Sequence, residues 1–214
     1  MKNKKLCIGL VCILLFFLIS LIVVVINGVI DPVDAAVYNV CATWINDTNT
    51  TIFKIITFFG STIFIVLFVL FCWLFWKKGR RGNDILCFLV ISTVINNLIK
   101  IIIQRPRPEI LQLVTENSYS FPSGHTMAVT SLVGILLYFW WSSEKATIVK
   151  KVLVTLPLLV LIFLVMTSRV YLGVHYFSDT IGGFITSLAL LLVYTTFISP
   201  LLHKNSGPSP TVQS

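Results

Sequence analysis

Residues 168–179 read Ser-Arg-Val-Tyr-Leu-Gly-Val-His-Tyr-Phe-Ser-Asp, and the segments on either side are nearly free of charge. The stretch concentrates a cation (Arg169), an imidazole (His175) and a carboxylate (Asp179). His175 and Asp179 are four positions apart, which places them on one face if this part is helical. A carboxylate bonded to one ring nitrogen orients an imidazole and makes its other nitrogen more nucleophilic. The same pair could instead cap a membrane helix, so the rest of the chain has to decide.

The composition is that of a membrane protein. Of 214 residues, 57% are hydrophobic and 11% are charged, whereas soluble domains carry roughly 25% charged residues. The formal net charge of +8 is scattered between apolar runs, and this scatter excludes nucleic acid as a partner. The five cysteines include no CxxC pair, which argues against a disulfide framework and against a zinc site.

The apolar runs predict an all-α bundle of six membrane-spanning helices. The spans are expected at about residues 6–30, 52–76, 85–103, 125–141, 152–168 and 179–198. They form a single membrane domain, residues 1–202, followed by a polar, disordered tail, residues 203–214. Between the first two spans, apolar residues from Val33 to Ile45 recur at helical spacing. This pattern predicts a short amphipathic helix in the membrane interface, anchored by Trp44.

The distribution of positive charge predicts the orientation. Eleven of the 16 Lys and Arg residues lie in the amino end, in the loops after the second and fourth spans, and in the tail. The positive-inside rule therefore places both termini in the cytoplasm. Four of the remaining five cations cluster at the outer ends of the third and fifth spans, and a bound anion is the economical explanation of this exception.

Four helix ends should therefore meet at the outer membrane face. They bring three or four cations together with two histidines and a carboxylate. Ser123 and Gly124 immediately precede a predicted helix, where free backbone N–H groups and the helix dipole favour an anion. These features predict a phosphate-sized anion site that contains a nucleophile.

Three segments carry a family resemblance. Residues 100–108 read Lys, six residues, Arg-Pro; residues 122–125 read Pro-Ser-Gly-His; and residues 168–179 contain Ser-Arg, five residues, His, three residues, Asp. In this order they resemble the three signature motifs of the type 2 phosphatidic acid phosphatase (PAP2) superfamily. This superfamily also includes vanadium haloperoxidases and bacterial non-specific acid phosphatases. The six-span layout is similar to that of its membrane-integrated bacterial members.

The resemblance implies a role for each motif residue. His175 would attack phosphorus and form a phosphohistidine, Asp179 would orient it, and His125 would protonate the leaving oxygen. The resemblance also implies a phosphate-binding set that consists of Lys100, Arg107, Ser123, Gly124 and Arg169. Catalysis is expected to need no metal and no other cofactor, because no carboxylate cluster in the sequence suits magnesium or zinc.

The expected activity is hydrolysis of a lipid phosphate at the extracytoplasmic face of the cell membrane. Candidate substrates are undecaprenyl diphosphate, phosphatidylglycerophosphate and phosphatidic acid, with the apolar tails held in the bilayer. The motifs describe the phosphate and not the lipid, so the preferred substrate stays open, as does the oligomeric state. The alternatives are a protein that binds or transports lipid phosphates without hydrolysis, and a phosphotransferase or vanadate-dependent oxidase of the same superfamily.

Individual residues also have ordinary structural interpretations. Lys100 could be an interface anchor, and Ser123 could be a plain helix cap. Arg105 lies outside the motifs and is interpreted as a loop or lipid-headgroup contact, so Arg105→Ala is expected to change little. Asn96 and Asn97 are candidates for an interhelical hydrogen bond, although only one of them should share the face of Lys100.

Overall fold

The computed structural model describes residues 2–75, 80–144 and 146–202. Its helices are α1 (Lys2–Ile26), α2 (Asp31–Ala42), α3 (Asp47–Phe58), α4 (Thr62–Phe75), α5 (Arg80–Ile103), α6 (Gly124–Trp141), α7 (Ile148–Tyr171), α8 (Phe177–Val193) and α9 (Ser199–Leu202), and a π-helical turn (Tyr194–Ile198) joins the last two. No strand occurs among these residues, in agreement with the predicted all-α class. The predicted tail, residues 203–214, lies outside the described residues.

The predicted count of six spans is not confirmed. Within the described residues, four helices are long and apolar enough to cross a membrane: α1, α5, α7 and α8 with its extension to Leu202. The bent pair α3–α4 raises the number to five if it counts as one span. Helix α6 is not among them, because polar residues interrupt its 18-residue apolar run, including Thr126, Thr130 and Ser131. These three side chains are buried, so they face other helices rather than lipid.

The second predicted span is broken into two helices. A bend of 42° separates α3 from α4, and the Ser61 hydroxyl accepts a 3.2 Å hydrogen bond from the Phe64 backbone N–H at the start of α4. Gly60 lies at the bend. A Cβ atom there would approach the His125 carbonyl oxygen to 2.9 Å and the His125 Cβ to 3.0 Å. The bend thus lets the chain pass directly against the first turn of α6.

Helix α6 lies at the centre of the bundle and packs against α5, α7 and α8, while α1 packs along α8. Close contact between α6 and α8 requires a small residue, because a Cβ at Gly183 would lie 2.9 Å from the Ser123 carbonyl oxygen. The outer helices expose large apolar side chains, such as Phe16 of α1, Phe71 of α4 and Phe163 of α7. Such surfaces are suited to contact with lipid tails.

The predicted amphipathic helix is present as α2, but it is part of the bundle. Pro32 lies in its first turn, where proline is tolerated. Cys41 is buried in a cluster with residues of α7 and the following turn, among them Tyr171 and Leu172. Trp44, the predicted anchor, is exposed just after the helix. The helix also buries Asp34, a residue to which the sequence pattern had assigned no role.

Candidate active site

The carboxyl ends of α5 and α7 and the amino ends of α6 and α8 meet beneath the loop formed by residues 104–123. They enclose a cavity of about 400 Å³. Five of the eight predicted site residues line it: Lys100, Arg107, Gly124, His125 and His175. The other three, Ser123, Arg169 and Asp179, are buried behind its wall.

Asp179 holds His175 from the first turn of α8. Its Oδ2 atom lies 3.4 Å from the His175 Nδ1, accepts a 2.9 Å hydrogen bond from the Tyr176 backbone N–H and accepts another from the Ser120 hydroxyl. The fully buried carboxylate is therefore fixed by local backbone and by the loop at the same time. Ser120, which the sequence motifs did not indicate, also lies 3.4 Å from the His175 Nδ1 through its hydroxyl oxygen.

His175 is a buried neutral imidazole. Burial lowers the pKa of His175 to about 4, the nearby Asp179 carboxylate opposes that shift, and Arg169 and Arg107 reinforce it. An imidazole with this pKa carries no proton on its second nitrogen at neutral pH. It therefore offers a lone pair to an electrophile, as a nucleophile requires.

Arg107 is anchored by the loop and by the turn before α8. Its Nε donates to the Ser118 carbonyl oxygen at 2.7 Å, and its Nη1 donates to the Val174 carbonyl oxygen at 2.6 Å. The same Nη1 lies 3.3 Å from the His175 Nε2. A guanidinium held by backbone carbonyls is a preorganised anion donor beside the second ring nitrogen.

Lys100 ends α5 and reaches back to the loop. Its Nζ donates to the carbonyl oxygens of Tyr119 and Ser120. One turn earlier, the Asn96 side chain donates to the Pro122 carbonyl oxygen at 3.4 Å, whereas Asn97 is exposed. Of the two candidates for an interhelical hydrogen bond, Asn96 is buried and bonds to the loop that precedes α6.

Ser123 is the N-cap of α6. Its hydroxyl oxygen accepts hydrogen bonds from the Thr126 backbone N–H at 3.5 Å and from the Thr126 hydroxyl at 3.1 Å. The side chain is fully buried, and its oxygen caps the helix. The Gly124 N–H, in contrast, belongs to the first helical turn, where no intrahelical acceptor exists. A phosphate contact by the Ser123 hydroxyl stays a prediction.

Glu116, from the loop, is a site residue that the sequence did not reveal. Its Oε1 accepts a 2.5 Å hydrogen bond from the Arg169 Nη2 and lies 4.0 Å from the His125 Nδ1. Its other oxygen lies 3.9 Å from the Arg107 Nη2. A single carboxylate thus connects two arginines and a histidine from three parts of the chain, and no spacing in the sequence indicates this arrangement.

The interpretation of Arg105 as a lipid-headgroup contact was wrong, whereas the expectation for Arg105→Ala stays a prediction. Its guanidinium is buried, donates from Nη1 to the Asp179 Oδ1 at 2.7 Å and lies 3.8 Å from the centre of the Tyr176 ring. Helix α5 ends at Ile103, and Gln104 adopts a left-handed backbone conformation with φ of 50°. Arg105 consequently points into the bundle instead of toward lipid headgroups.

Comparison with known proteins places this geometry in a family. The PAP2 superfamily model matches residues 81–201. The chain is 33% identical to phosphatidylglycerophosphatase B of Bacillus subtilis (strain 168) over 190 residues, which cover 86% of this chain and 91% of that protein. It is also 26% identical to sphingosine-1-phosphate phosphatase 1 of Rattus norvegicus, over 68% of this chain and 34% of that protein.

Solved structures agree with the sequence matches. The crystal structure of a transmembrane PAP2-type phosphatidylglycerolphosphate phosphatase from Bacillus subtilis superposes with a TM-score of 0.79 at 27% identity, covering 93% of this chain and 98% of that one. The structure of Aquifex aeolicus LpxE shares the fold, with a TM-score of 0.61 at 20% identity over 76% of this chain and 94% of that one. The chain therefore belongs to the PAP2 superfamily, and its lipid-phosphatase relatives imply that it is a phosphatase.

Proposed function

We propose that this protein is an integral membrane lipid phosphatase that uses His175 as its nucleophile. The observation that carries the proposal is the buried, neutral His175, with Asp179 on one ring nitrogen and Arg107 beside the other. A protein that only binds or transports anions would need the cations, but it would not need an imidazole that a carboxylate orients. The relative named phosphatidylglycerophosphatase B makes phosphatidylglycerophosphate the first candidate substrate. Phosphatidic acid and undecaprenyl diphosphate remain candidates on the chemistry of the site.

The proposed reaction has two steps. First, the His175 Nε2 lone pair forms a bond to phosphorus while the bond from phosphorus to the leaving oxygen breaks, and His125 gives that oxygen a proton. Second, a water molecule loses a proton to His125 and attacks the phosphohistidine, which releases inorganic phosphate. This step restores the neutral imidazole of His175 and the protonated imidazole of His125 from which the first step starts. Asp179 keeps the His175 ring oriented and stabilises the positive charge that it develops.

Five groups are available for the negative charge of the phosphoryl oxygens. The cavity wall presents Lys100, Arg107 and the N–H of Gly124, and Ser123 and Arg169 lie behind it. Charge-assisted hydrogen bonds of this kind contribute about 1.5–3 kcal/mol each, and those that tighten in the transition state raise the rate. Because these groups can balance the charge themselves, we propose that turnover needs no metal ion and continues in EDTA.

Arg169 would reach a phosphate only in competition with Glu116. Its guanidinium donates to Glu116 and to the Thr57 hydroxyl, while its buried Nε has no partner among the described residues. A phosphoryl oxygen carries the same sign of charge as the Glu116 carboxylate and accepts the same hydrogen bonds. We infer that substrate displaces Glu116 from Arg169 and satisfies donors that the carboxylate leaves unused.

The shape of the cavity suits a lipid. From the polar end it extends along α4, α5 and α6, where Ile65, Leu89, Met127 and Ala128 form its wall. An acyl chain could lie against these side chains while its phosphate reaches His175. Access from the side, within the bilayer, would keep the tails out of water.

We propose that the site faces the extracytoplasmic side and that both termini are cytoplasmic, in a six-span arrangement with α6 as one span. The site gathers the ends of α5 and α7 and the starts of α6 and α8. Basic residues lie at the opposite ends of two of these helices: Arg80 and Arg81 at the start of α5, and Lys150 and Lys151 at the start of α7. That asymmetry of Lys and Arg supports the orientation.

A phosphate-release panel tests the activity. Purified protein in detergent is given short-chain phosphatidylglycerophosphate, phosphatidic acid and a polyprenyl diphosphate, with and without EDTA, beside His175→Ala. We expect release of inorganic phosphate from at least one lipid in EDTA and none from His175→Ala. No release from any lipid, with the protein folded and binding phosphate, would favour the binding or transport alternative. Recovery only after addition of a divalent metal would refute metal independence.

A further inference from the structure

Asp34 of α2 is a buried carboxylate to which the proposed reaction assigns no step. It is 2% exposed, and it lies well outside residues 81–201, the region that the family model matches. Its Oδ1 accepts a 2.8 Å hydrogen bond from the Ser178 backbone N–H. Its Oδ2 accepts hydrogen bonds from the Ser178 hydroxyl at 2.6 Å and from the Arg105 Nη2 at 2.9 Å.

Arg105 bridges this carboxylate and the one that holds the nucleophile. Nη2 donates to Asp34 and Nη1 donates to Asp179, the latter at 2.7 Å. Nη1 also donates to the Ser178 hydroxyl oxygen at 2.7 Å, and that hydroxyl in turn donates a hydrogen bond to Asp34. The planar guanidinium therefore fixes the distance between two carboxylates from helices that are far apart in sequence.

The charge of this cluster affects what Asp179 can do for His175. Arg105 alone would neutralise Asp179 and weaken its attraction for the hydrogen on the imidazole. A second buried carboxylate on the same guanidinium leaves the three groups with a net charge of about −1. Buried ion pairs contribute little to stability on balance, so their presence here calls for a reason other than stability.

We propose that Asp34, acting through Arg105, is a positioning residue that holds Asp179 in place and preserves its negative charge toward His175. The proposal rests on the assignment of His175 as the nucleophile, and Asp34 itself touches neither the cavity described above nor the reacting atoms. The alternative is that Asp34 merely fastens α2 to the start of α8. The two differ in one respect: only positioning changes the hydrogen bond between His175 and Asp179 in a folded protein.

Asp31 provides a matched control. It belongs to the same first turn of α2, carries the same charge and lies 3.5 Å from the same Arg105 Nη2, but its side chain is 63% exposed. Solvent screens a charge of this kind far more than it screens Asp34. The substitutions Asp34→Asn and Asp31→Asn therefore remove one charge each at similar distances from Arg105, and Asp34→Glu keeps the charge at the buried position.

The experiment measures turnover and the proton NMR resonance of the His175 Nδ1–H in detergent-solubilised full-length protein. For Asp34→Asn we expect kcat to fall about tenfold or more, the equivalent of about 1.4 kcal/mol of transition-state stabilisation, with KM within about twofold. The resonance should move upfield, because the carboxylate accepts its hydrogen less strongly. Asp31→Asn should leave both unchanged, and Asp34→Glu should restore part of both.

The outcomes separate the two proposals. An inactive wild-type protein would refute the proposed function, yet the resonance would still report whether Asp34 acts on the His175–Asp179 pair. An active Asp34→Asn protein with an unshifted resonance would overturn the positioning role. If Asp34→Asn fails to fold, Asp34→Glu decides, and a folded Asp34→Glu protein with unchanged kcat and an unshifted resonance would overturn the positioning role.

Discussion

The Arg107 Nη1 lies 3.3 Å from the His175 Nε2, and this contact determines which ring nitrogen carries the hydrogen. A guanidinium has only donors, so Nε2 must be the acceptor and therefore bears the lone pair. The hydrogen then belongs to Nδ1, which points to Asp179 at 3.4 Å. A phosphoryl group that approaches Nε2 must therefore take the place of this hydrogen bond, and the positive charge of Arg107 is already beside it.

The titration of His175 should follow from its burial. Its pKa of about 4 lies below the usual 6.5, so the unfolded chain binds the proton first as the pH falls. His175 should consequently remain neutral down to about pH 4, and its contribution to stability should decline between pH 6.5 and pH 4. Nitrogen-15 NMR of labelled histidine measures the midpoint, and His175→Gln identifies the signal. A midpoint near 6.5 would contradict this description of the site.

Glu116→Gln should strengthen the binding of inorganic phosphate. The substitution removes the negative charge that lies beside Arg169 and Arg107 but keeps a side chain of the same shape. Competitive inhibition by phosphate should then improve by about three- to tenfold, the equivalent of about 0.7–1.4 kcal/mol. Glu109→Gln is the control, because it removes the charge of another glutamate in the same loop, and it should leave the inhibition constant of phosphate unchanged. Weaker inhibition in Glu116→Gln would mean that Glu116 helps to build the anion site and does not compete with its ligand.

Gly60→Ala should impair catalysis although Gly60 is not a motif residue. The added Cβ would meet the backbone carbonyl oxygen and the Cβ of His125 at 2.9–3.0 Å, so the start of α6 would have to shift by a few tenths of an ångström. Small displacements of a catalytic group lower rates steeply, and we expect a fall in kcat of about tenfold or more. Gly9→Ala, with nothing within 4 Å of the new Cβ, is the control. Equal activity of the two variants would show that this contact does not position His125.

Relationships within one short segment could be predicted from the sequence. The four-residue spacing of His175 and Asp179 places both near the start of α8, and the motif order brings four helix ends to one place. Hydropathy also indicated the approximate positions of the long helices α1, α5, α7 and α8. Helix α6 also lies where a span was expected, at Gly124–Trp141. The bend at Gly60 could not be predicted, because it depends on packing against another helix.

Partners that come from separate elements could not be predicted. Glu116 reaches Arg169 from a loop without regular structure, and Asp34 reaches Arg105 from a helix that looked like an interface element. Arg105 itself was misjudged because the left-handed backbone conformation of Gln104 is a property of the folded chain. A charged residue near a motif cannot be assigned to lipid or to the core until the direction of the chain is known.

The most direct test of the central claim is to trap the phosphorylated enzyme. Purified protein is mixed with lipid labelled with ³²P in its terminal phosphate, quenched in alkali within milliseconds to seconds, and analysed for phosphohistidine by peptide mapping. Phosphoryl transfer to His175 predicts label on the peptide that carries this residue, more label in His125→Ala with a lipid whose leaving group needs no proton, and none in His175→Gln. Label on another residue, or undiminished phosphate release by His175→Gln, would contradict it.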